Sequence, residues 1–309
     1  MTPMQLRAQV AQLSLTPTED AVARSVLYAA LFDYPLTLAE LRRTLIRSRQ
    51  TASEILAVIR NSPALGGLVE SRDGYFFPVG CAHLVQTRRH RALRTQSFLA
   101  VHRPILTLLA ACPYVRMVAL SGSVAHKNLE AGGDLDVFIV TRGPRVWLVA
   151  VTVVLLAKLL GRRRTLCANY IVSDADLNFS PADLFTANQV IGLLPLVGAD
   201  TFQRLLDANP FVADYYPNFH TADRVSATLR RRSRLAWVQT GLESLLWIPS
   251  AIAERICRRA YRRYLRSRAA RWASPDQVTL GDTVLKLHTR SHRSEVISRF
   301  EETLRNALP

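Results

Sequence analysis

Two aspartates separated by one residue, Asp134 and Asp136, open the apolar run DLDVFIVT over residues 134–141. Side chains two positions apart on a β-strand point to the same face, so this spacing brings two carboxylates together. Such close like charges repel unless a cation lies between them, and carboxylate oxygens are good ligands for Mg²⁺ and Mn²⁺. The pair is therefore a candidate metal site.

A Gly-Ser pair, Gly122-Ser123, follows the apolar run VRMVAL and precedes the aspartates by ten residues, 124–133. Glycine lets the backbone approach a phosphate closely, and the amides after it, with the Ser123 hydroxyl, can bind anionic oxygens. Lys127, in the segment that follows, is either another phosphate contact or a solvated side chain. A metal site beside a phosphate cradle describes a binding site for a nucleoside triphosphate (NTP).

The ordered combination LSGS, a short gap and DLDV resembles the core motif of the DNA polymerase β-type nucleotidyltransferase superfamily. The resemblance covers residues 115–173. It implies that Gly122 and Ser123 hold triphosphate oxygens and that Asp134 and Asp136 ligate Mg²⁺. It further implies that a hydroxyl of an unknown acceptor attacks the α-phosphate and releases pyrophosphate, with two metals stabilising the attacking and leaving oxygens.

Members of this superfamily usually present a third acidic residue on the following strand. Here that segment, LCANYIVSDAD, offers Asn169 in its middle and Asp174 and Asp176 only at its far end. Either a shifted register brings Asp174 or Asp176 to the site, or Asn169 takes the place. Asparagine can coordinate a metal but cannot accept a proton, so the second case favours weakened chemistry. A nucleotide- or nucleic-acid-binding regulatory protein of the same fold is then the alternative to an enzyme.

The motif residues need a sheet to position them. The apolar segments 115–120, 134–141 and 166–173 are predicted strands, and the apolar segment 146–160 is a predicted buried helix that crosses between the last two. The expected fold class is therefore α/β (α+β), with a small mixed-sheet nucleotidyltransferase core over residues 115–223. After Asp174 the pattern predicts helix through about residue 208.

The first 80 residues resemble a winged-helix domain. Thr16, Thr37 and Thr51 each precede a glutamate by three residues, the capping-box spacing, and predict helices over 17–32, 38–47 and 52–61. Segment 67–78 predicts a strand, an Asp-Gly turn and a strand. The third helix carries only Arg60, so scaffolding is favoured over DNA reading, and similar bacterial proteins place such a domain before a nucleotidyltransferase core.

A connecting helix is predicted over 83–111, within an expected linker of residues 81–114. It begins with the basic cluster Arg88, Arg89, His90, Arg91 and Arg94. These side chains either point into the phosphate site or form a solvated face.

The C-terminal region, 224–309, is basic and helical in pattern. Between residues 224 and 271, thirteen arginines accompany only two acids, Glu243 and Glu254, and are interleaved with tryptophan and tyrosine. The pattern predicts two amphipathic helices broken near Pro249 and a closing helix over 292–308. Three alternatives remain for this region: it binds RNA, it contacts a membrane surface peripherally, or it packs on the core with its arginines in solvent.

Bulk composition agrees with an anionic partner, since 40 Lys and Arg against 24 Asp and Glu give a net charge of +16. Four scattered cysteines predict neither a zinc site nor a disulfide framework and favour a reducing compartment, the cytoplasm. The N-terminal stretch lacks the pattern of a signal peptide. No transmembrane segment is expected, because the longest apolar run is interrupted by Lys158.

Overall fold

Two separate β-sheets and the helices around them make up the computed structural model, which describes residues 15–224, 239–241, 243–245, 247–288 and 292–308. The helices are α1 Pro17–Ala30, α2 Leu38–Arg43, α3 Ala52–Asn61, α4 Pro63–Gly66, α5 Leu84–Ala111, α6 Gly122–Ala125, α7 Val146–Leu159, α8 Leu184–Gly192, α9 Ala199–Asp207, α10 Phe211–Tyr215, α11 Trp247–Arg266 and α12 Arg293–Ala307. The strands are β1 Leu36–Thr37, β2 Val69–Arg72, β3 Tyr75–Pro78, β4 Val115–Leu120, β5 Leu135–Thr141, β6 Leu166–Ser173, β7 Leu194–Val197, β8 Val278–Leu280 and β9 Val284–Leu287. The coarse fold class, mixed α/β, is confirmed.

The N-terminal elements follow local sequence chemistry. Thr16, Thr37 and Thr51 each accept a backbone N–H with the side chain, and the glutamate three residues later bonds back to the threonine N–H. All three capping boxes are confirmed, with α2 shorter than predicted. Asp73 and Gly74 both have positive φ, as a tight hairpin turn between β2 and β3 requires. A short strand, β1, adds to this sheet in the order β1-β3-β2.

The larger sheet holds the sequence motif. Its order is β7-β4-β5-β6-β9-β8, with β5 and β6 parallel and every other neighbouring pair antiparallel. The long apolar helix α7 makes the crossover between β5 and β6, as the sequence predicts. Helices α5, α7 and α11 pack on one face of this sheet, and α8, α9 and α12 pack on the other. The core therefore lies in two layers, one on each side of β4, β5 and β6.

Three strands of this sheet were not anticipated. Residues 194–197 form β7 where continuous helix was predicted, and β8 and β9 form a hairpin on the opposite edge of the sheet. Pro195 lies in β7 because this is an edge strand, where a missing N–H costs little. The hairpin turns at Gly281-Asp282, a pair of turn-forming residues. The prediction of helix after Asp174 through about residue 208 is therefore wrong over β7, and it is also wrong up to residue 183, since α8 begins at Leu184.

Two predictions about helices also need correction. α11 runs through Pro249, so the predicted break there is wrong. Residues 225–238, which include Trp237 and several arginines of the predicted amphipathic helices, lie outside the described residues. α7 is buried on one side only, since Leu155 and Leu159 are exposed.

The two acids among the C-terminal arginines anchor this region to the core. Glu243 accepts hydrogen bonds from the Tyr114 backbone N–H and from the side chains of Arg116 and Arg142. Glu254 accepts from the backbone N–H groups of Trp147 and Leu148, in the first turn of α7. Both glutamates are buried, and Glu254 supplies from another helix the cap that the α7 N-terminus lacks.

Candidate functional site

The register of the larger sheet brings the motif residues together at one end of the neighbouring strands β4 and β5. β4 ends at Leu120, which lies opposite Val137, and the Ser121 N–H donates to the Asp136 carbonyl oxygen at 3.0 Å. Asp134 immediately precedes β5, and Asp136 is its second residue. Because β4 and β5 are antiparallel, the end of one strand and the beginning of the other meet. Gly122-Ser123 and the two aspartates are thereby brought together, as the spacing predicts.

Gly122 is in contact with the carboxylate of Asp136. Its φ is +61°, and a Cβ at this position would lie 2.7 Å from Oδ2 of Asp136. Both the backbone conformation and the close approach therefore require glycine. The sequence assigned Gly122 to phosphate binding; the structure adds that it leaves room for the carboxylate beside it.

Asn169 occupies the position next to Asp136 on the neighbouring strand. Its Nδ2 donates to Oδ1 of Asp136 at 2.7 Å. The β5–β6 register pairs Asp136 with Cys167 and Phe138 with Tyr170, so Ala168 and Asn169 together lie opposite Val137. This bulge places the amide beside the carboxylate. Of the alternatives left open by the sequence, the structure therefore favours Asn169.

Asp174 and Asp176 lie at the opposite end of β6. The Asp174 backbone N–H donates to the Thr141 carbonyl oxygen at the far end of β5, and its Oδ1 accepts the Gly143 N–H at 2.8 Å. Asp176 accepts from the Thr283 hydroxyl at 2.6 Å. Five residues of extended chain separate Asn169 from Asp174, a span of about 16 Å. The shifted register is therefore wrong, and neither acid reaches the aspartate pair.

The carboxylate pair is electrostatically strained without a cation. Burial, together with the neighbouring charge of Asp134, raises the pKa of Asp136 to about 6. Asp134 is exposed and accepts a weak hydrogen bond from the Cys167 thiol, with 3.7 Å between Sγ and Oδ2. Burial raises the pKa of Cys167 to about 11, so the thiol is a donor here and not a nucleophile. Cys167 was missed, although strand alternation places it on the side of Asn169.

The residues around Gly122 include the remaining predicted phosphate contacts, Ser123 and Lys127. Ser121 makes no side-chain cap to α6, so its hydroxyl does not satisfy the first N–H groups of that turn. Ser123 is partly buried, and its carbonyl accepts the Asn128 N–H at 2.8 Å. Lys127 is exposed with a φ of +54°. Its side chain is therefore free to reach a bound anion from solvent.

Of the two roles left open for the basic cluster of α5, the structure favours the solvated face for Arg89, His90 and Arg94, which are exposed, whereas Arg88 and Arg91 are partly buried in ion pairs. Arg88 pairs with Glu40 at 2.7 Å and stacks over the Tyr34 ring, so it fastens the N-terminal domain to the helix. Arg91 bonds to Asp33 and Glu130, and Arg94 donates to the Leu129 carbonyl oxygen at 3.3 Å. These contacts hold the segment between Ser123 and Asp134. The cluster therefore supports the loop that carries the site and does not point at the phosphate position.

His126 is part of the same support. Its ring meets Tyr34 edge-on, with 5.7 Å between ring centroids, and its Nε2 lies so close to Gly192 that a Cβ there would be 2.9 Å away. Burial, together with the nearby Arg224 charge, lowers the pKa of His126 to about 3. The ring is therefore neutral and packs against Tyr34 and Gly192.

A pocket of about 270 Å³ adjoins the carboxylates on the side of β6. Cys167 and Asn169, the two residues that bond to the aspartates, also line this pocket. Its walls are aliphatic side chains of α7 and β9, and its other side carries Tyr261, Tyr264, Arg163 and Arg268. Arg268 stacks over the Tyr264 ring at 4.7 Å. The pocket thus combines an apolar interior with two guanidinium groups.

The two carboxylates suit a metal ion that binds together with the phosphates of a substrate. Among the described residues, no group of three or more His, Cys, Asp or Glu side chains is arranged to hold an ion. Mg²⁺ commonly uses only one or two carboxylates together with substrate phosphates and water. Asp134 and Asp136 meet that requirement, and a cation would stabilise the ionised form of Asp136, which burial and the Asp134 charge disfavour.

Comparisons of the chain with models of known protein families, with curated proteins and with solved structures returned no match.

Proposed function

We propose that the protein is a nucleotidyltransferase that binds an NTP with Mg²⁺ or Mn²⁺ and transfers the nucleoside monophosphate to an acceptor hydroxyl. The observation that carries the proposal is the meeting of Gly122 and the Asp134–Asp136 pair at one edge of the sheet. Burial and the neighbouring charge of Asp134 disfavour the ionised form of Asp136, and a bound cation would offset both effects, so a binding role accounts for the pair. The motif resemblance supplies the reaction class.

Each residue has a defined role in the proposed reaction. Asp134 and Asp136 hold the metal, which when bound neutralises charge on the triphosphate. The backbone at Gly122-Ser123 and the Ser123 hydroxyl bind phosphate oxygens, and Lys127 can reach them from solvent. The acceptor oxygen forms a bond to the α-phosphorus as the bond to the pyrophosphate oxygen breaks, and pyrophosphate leaves.

The hydroxyl proton has no carboxylate base in the place where the superfamily usually has a third acid. Asn169 fills that position and cannot accept a proton, so the proton passes to water at the open side of the site, where Asp134 is exposed. The pocket lined by Cys167 and Asn169 is the proposed acceptor site. Its arginines favour an acceptor with an anionic group, including RNA.

A second candidate follows from Asn169 itself. An amide bonded to Asp136 is consistent with a protein that binds nucleotide, or nucleic acid, and regulates another process without transferring anything. The Asn169→Asp variant separates the two candidates. A weakened enzyme gains transfer activity when the acid is supplied, whereas a binding protein with no acceptor site gains none.

The test is incubation of the purified protein with each of the four α-labelled NTPs, with and without Mg²⁺ or Mn²⁺, on total RNA and on itself. Metal-dependent transfer that the Asp134→Ala/Asp136→Ala variant lacks supports the enzyme. Metal-dependent nucleotide binding without transfer supports the regulatory candidate. Failure to bind either a nucleotide or RNA contradicts both.

A further inference from the structure

A continuous apolar strip runs along the outward side of α11. Ile248, Ile252 and Ile256 recur every four residues and are 74%, 55% and 62% exposed, and Leu245, just before α11, is also exposed. Residues four apart lie on one face of a helix, so the three isoleucines form a single surface, here called the isoleucine strip. Single exposed apolar residues are ordinary, but a contiguous strip marks an interaction surface.

Arginines continue the strip toward the end of the helix. Arg259 follows Ile256 by three residues and Arg263 follows Arg259 by four, so both extend the same face. With Arg255 and Arg266, they are exposed and form no ion pair with any residue that the structure describes. The acid nearest to them along this surface, Asp282, is engaged by Arg258 and Arg262. The strip therefore ends in uncompensated positive charge.

α7 repeats this arrangement beside α11. The two helices pack together and cover the same face of the large sheet. Leu155 and Leu159 point outward and are 58% and 82% exposed, and the exposed Arg163 and Arg164 follow the end of the helix. Exposed aliphatic side chains followed by arginines thus occur on both helices of one surface.

Charge and side-chain type decide among the possible occupants. A symmetric contact with a second copy would bring these arginines together, with no unpaired acid of this described surface to meet them. A nucleic acid would use the arginines, but it would leave the aliphatic strip in water, since bases stack on aromatic rings. Aliphatic side chains beside arginines are the pattern of helices that lie in the headgroup region of a membrane.

We propose that the outer surface of α7 and α11 binds the surface of a membrane that contains anionic lipids. The isoleucine strip enters the boundary between headgroups and acyl chains, and the arginines contact lipid phosphates. No helix among the described residues is long and apolar enough to cross a membrane, so the contact is peripheral. The proposal does not depend on nucleotidyltransferase activity.

The test is co-sedimentation of the full chain with vesicles of phosphatidylcholine alone or mixed with phosphatidylglycerol. The expected result is binding to the mixed vesicles that added salt weakens. The Ile248→Ser/Ile252→Ser/Ile256→Ser variant should lower the partition coefficient about tenfold or more. The Arg259→Glu/Arg263→Glu variant should remove the preference for phosphatidylglycerol.

Matched controls lie on the small N-terminal domain. Val79→Ser removes an exposed apolar side chain, and Arg60→Glu/Arg72→Glu reverses two exposed charges; both should bind as the wild type does. Circular dichroism melts identify any variant that fails to fold, in which case the arginine variant and the salt dependence carry the test. The proposal is overturned if the wild type binds neither kind of vesicle. It is equally overturned if the isoleucine and arginine variants fold and bind vesicles as the wild type does. It is also overturned if the strip instead mediates dimerisation, measured as a doubled mass in solution.

Discussion

The side-chain amide of Asn169 donates a 2.7 Å hydrogen bond to Oδ1 of Asp136, across the parallel pair β5 and β6. The carboxylate that the motif assigns to metal binding is thus held from one side by an amide and approached from the other by Gly122. A third acid in the Asn169 position would add charge to a pair that already repels. The amide instead orients Asp136 without adding to that repulsion.

Asn169→Asp should therefore destabilise the metal-free protein and increase its dependence on metal. Loss of the hydrogen bond and the added charge should lower the free energy of unfolding by about 1–3 kcal/mol. Mg²⁺ with an NTP should restore most of this loss, as measured by urea unfolding with and without both. Asn169→Ala is the matched control: it loses the bond without adding charge, so Mg²⁺ with an NTP should stabilise it no more than it stabilises the wild type. Equal metal responses of the two variants would argue against a metal between these carboxylates.

Gly122→Ala should disturb Asp136 directly. The positive φ costs a non-glycine residue about 1–2 kcal/mol, and the new Cβ, which would lie 2.7 Å from Oδ2, would push the Asp136 carboxylate aside. NTP binding in the presence of Mg²⁺ should weaken by about tenfold or more, measured by calorimetry. Gly66→Ala is the control, since its Cβ meets nothing within 4 Å and its φ is not positive. A Gly122→Ala protein that binds nucleotide normally would remove this residue from the site.

His126 should make stability depend on pH. Its folded pKa of about 3 lies below the unfolded value of 6.5, so the folded state disfavours the proton. Its contribution is present above pH 6.5 and is lost as the pH falls toward 3, with about 2 kcal/mol lost by pH 5. The check is urea unfolding of the wild type and His126→Phe at pH 7 and pH 5, with the exposed His90→Phe as control. Indistinguishable pH profiles for the wild type and His126→Phe would refute this assignment.

Glu254 should be needed for the attachment of α11. It accepts the Trp147 and Leu148 N–H groups at 3.1 and 2.7 Å, and Glu254→Ala would leave both donors without this partner in a buried position. The free energy of unfolding should fall by about 1–3 kcal/mol, measured in urea. Glu301→Ala, at an exposed position of α12, should change it little. If both variants lose a similar free energy of unfolding, the hydrogen bonds between Glu254 and the first turn of α7 make no specific contribution to stability.

Elements fixed by neighbouring residues were predictable from sequence. The three Thr-to-Glu capping boxes and the Asp73-Gly74 turn place α1, α2, α3 and the β2–β3 hairpin, because each depends on contacts within a few residues. β7 was missed because LPLV is too short to show strand periodicity and contains Pro195. It is a strand only because β4 lies beside it.

The candidate site was predictable in part for the same reason. Gly122, Asp134 and Asp136 could be placed together because they lie at the end of one predicted strand and the beginning of the next. The role of Asn169 could not be chosen over Asp174 or Asp176, since that choice depends on the β5–β6 register and its bulge. The partners of Arg88 and Arg91 lie 37 to 58 residues away in sequence, beyond any local pattern.

The most direct test of the account is equilibrium binding of each NTP, with and without Mg²⁺, to three proteins. These are the wild type, Asp134→Asn/Asp136→Asn, and Asp174→Asn/Asp176→Asn, which makes the same chemical change at the other end of β6. The account predicts Mg²⁺-dependent binding that the first variant loses and the second retains. Binding that survives in the first variant, or that the wild type does not show at all, would contradict it.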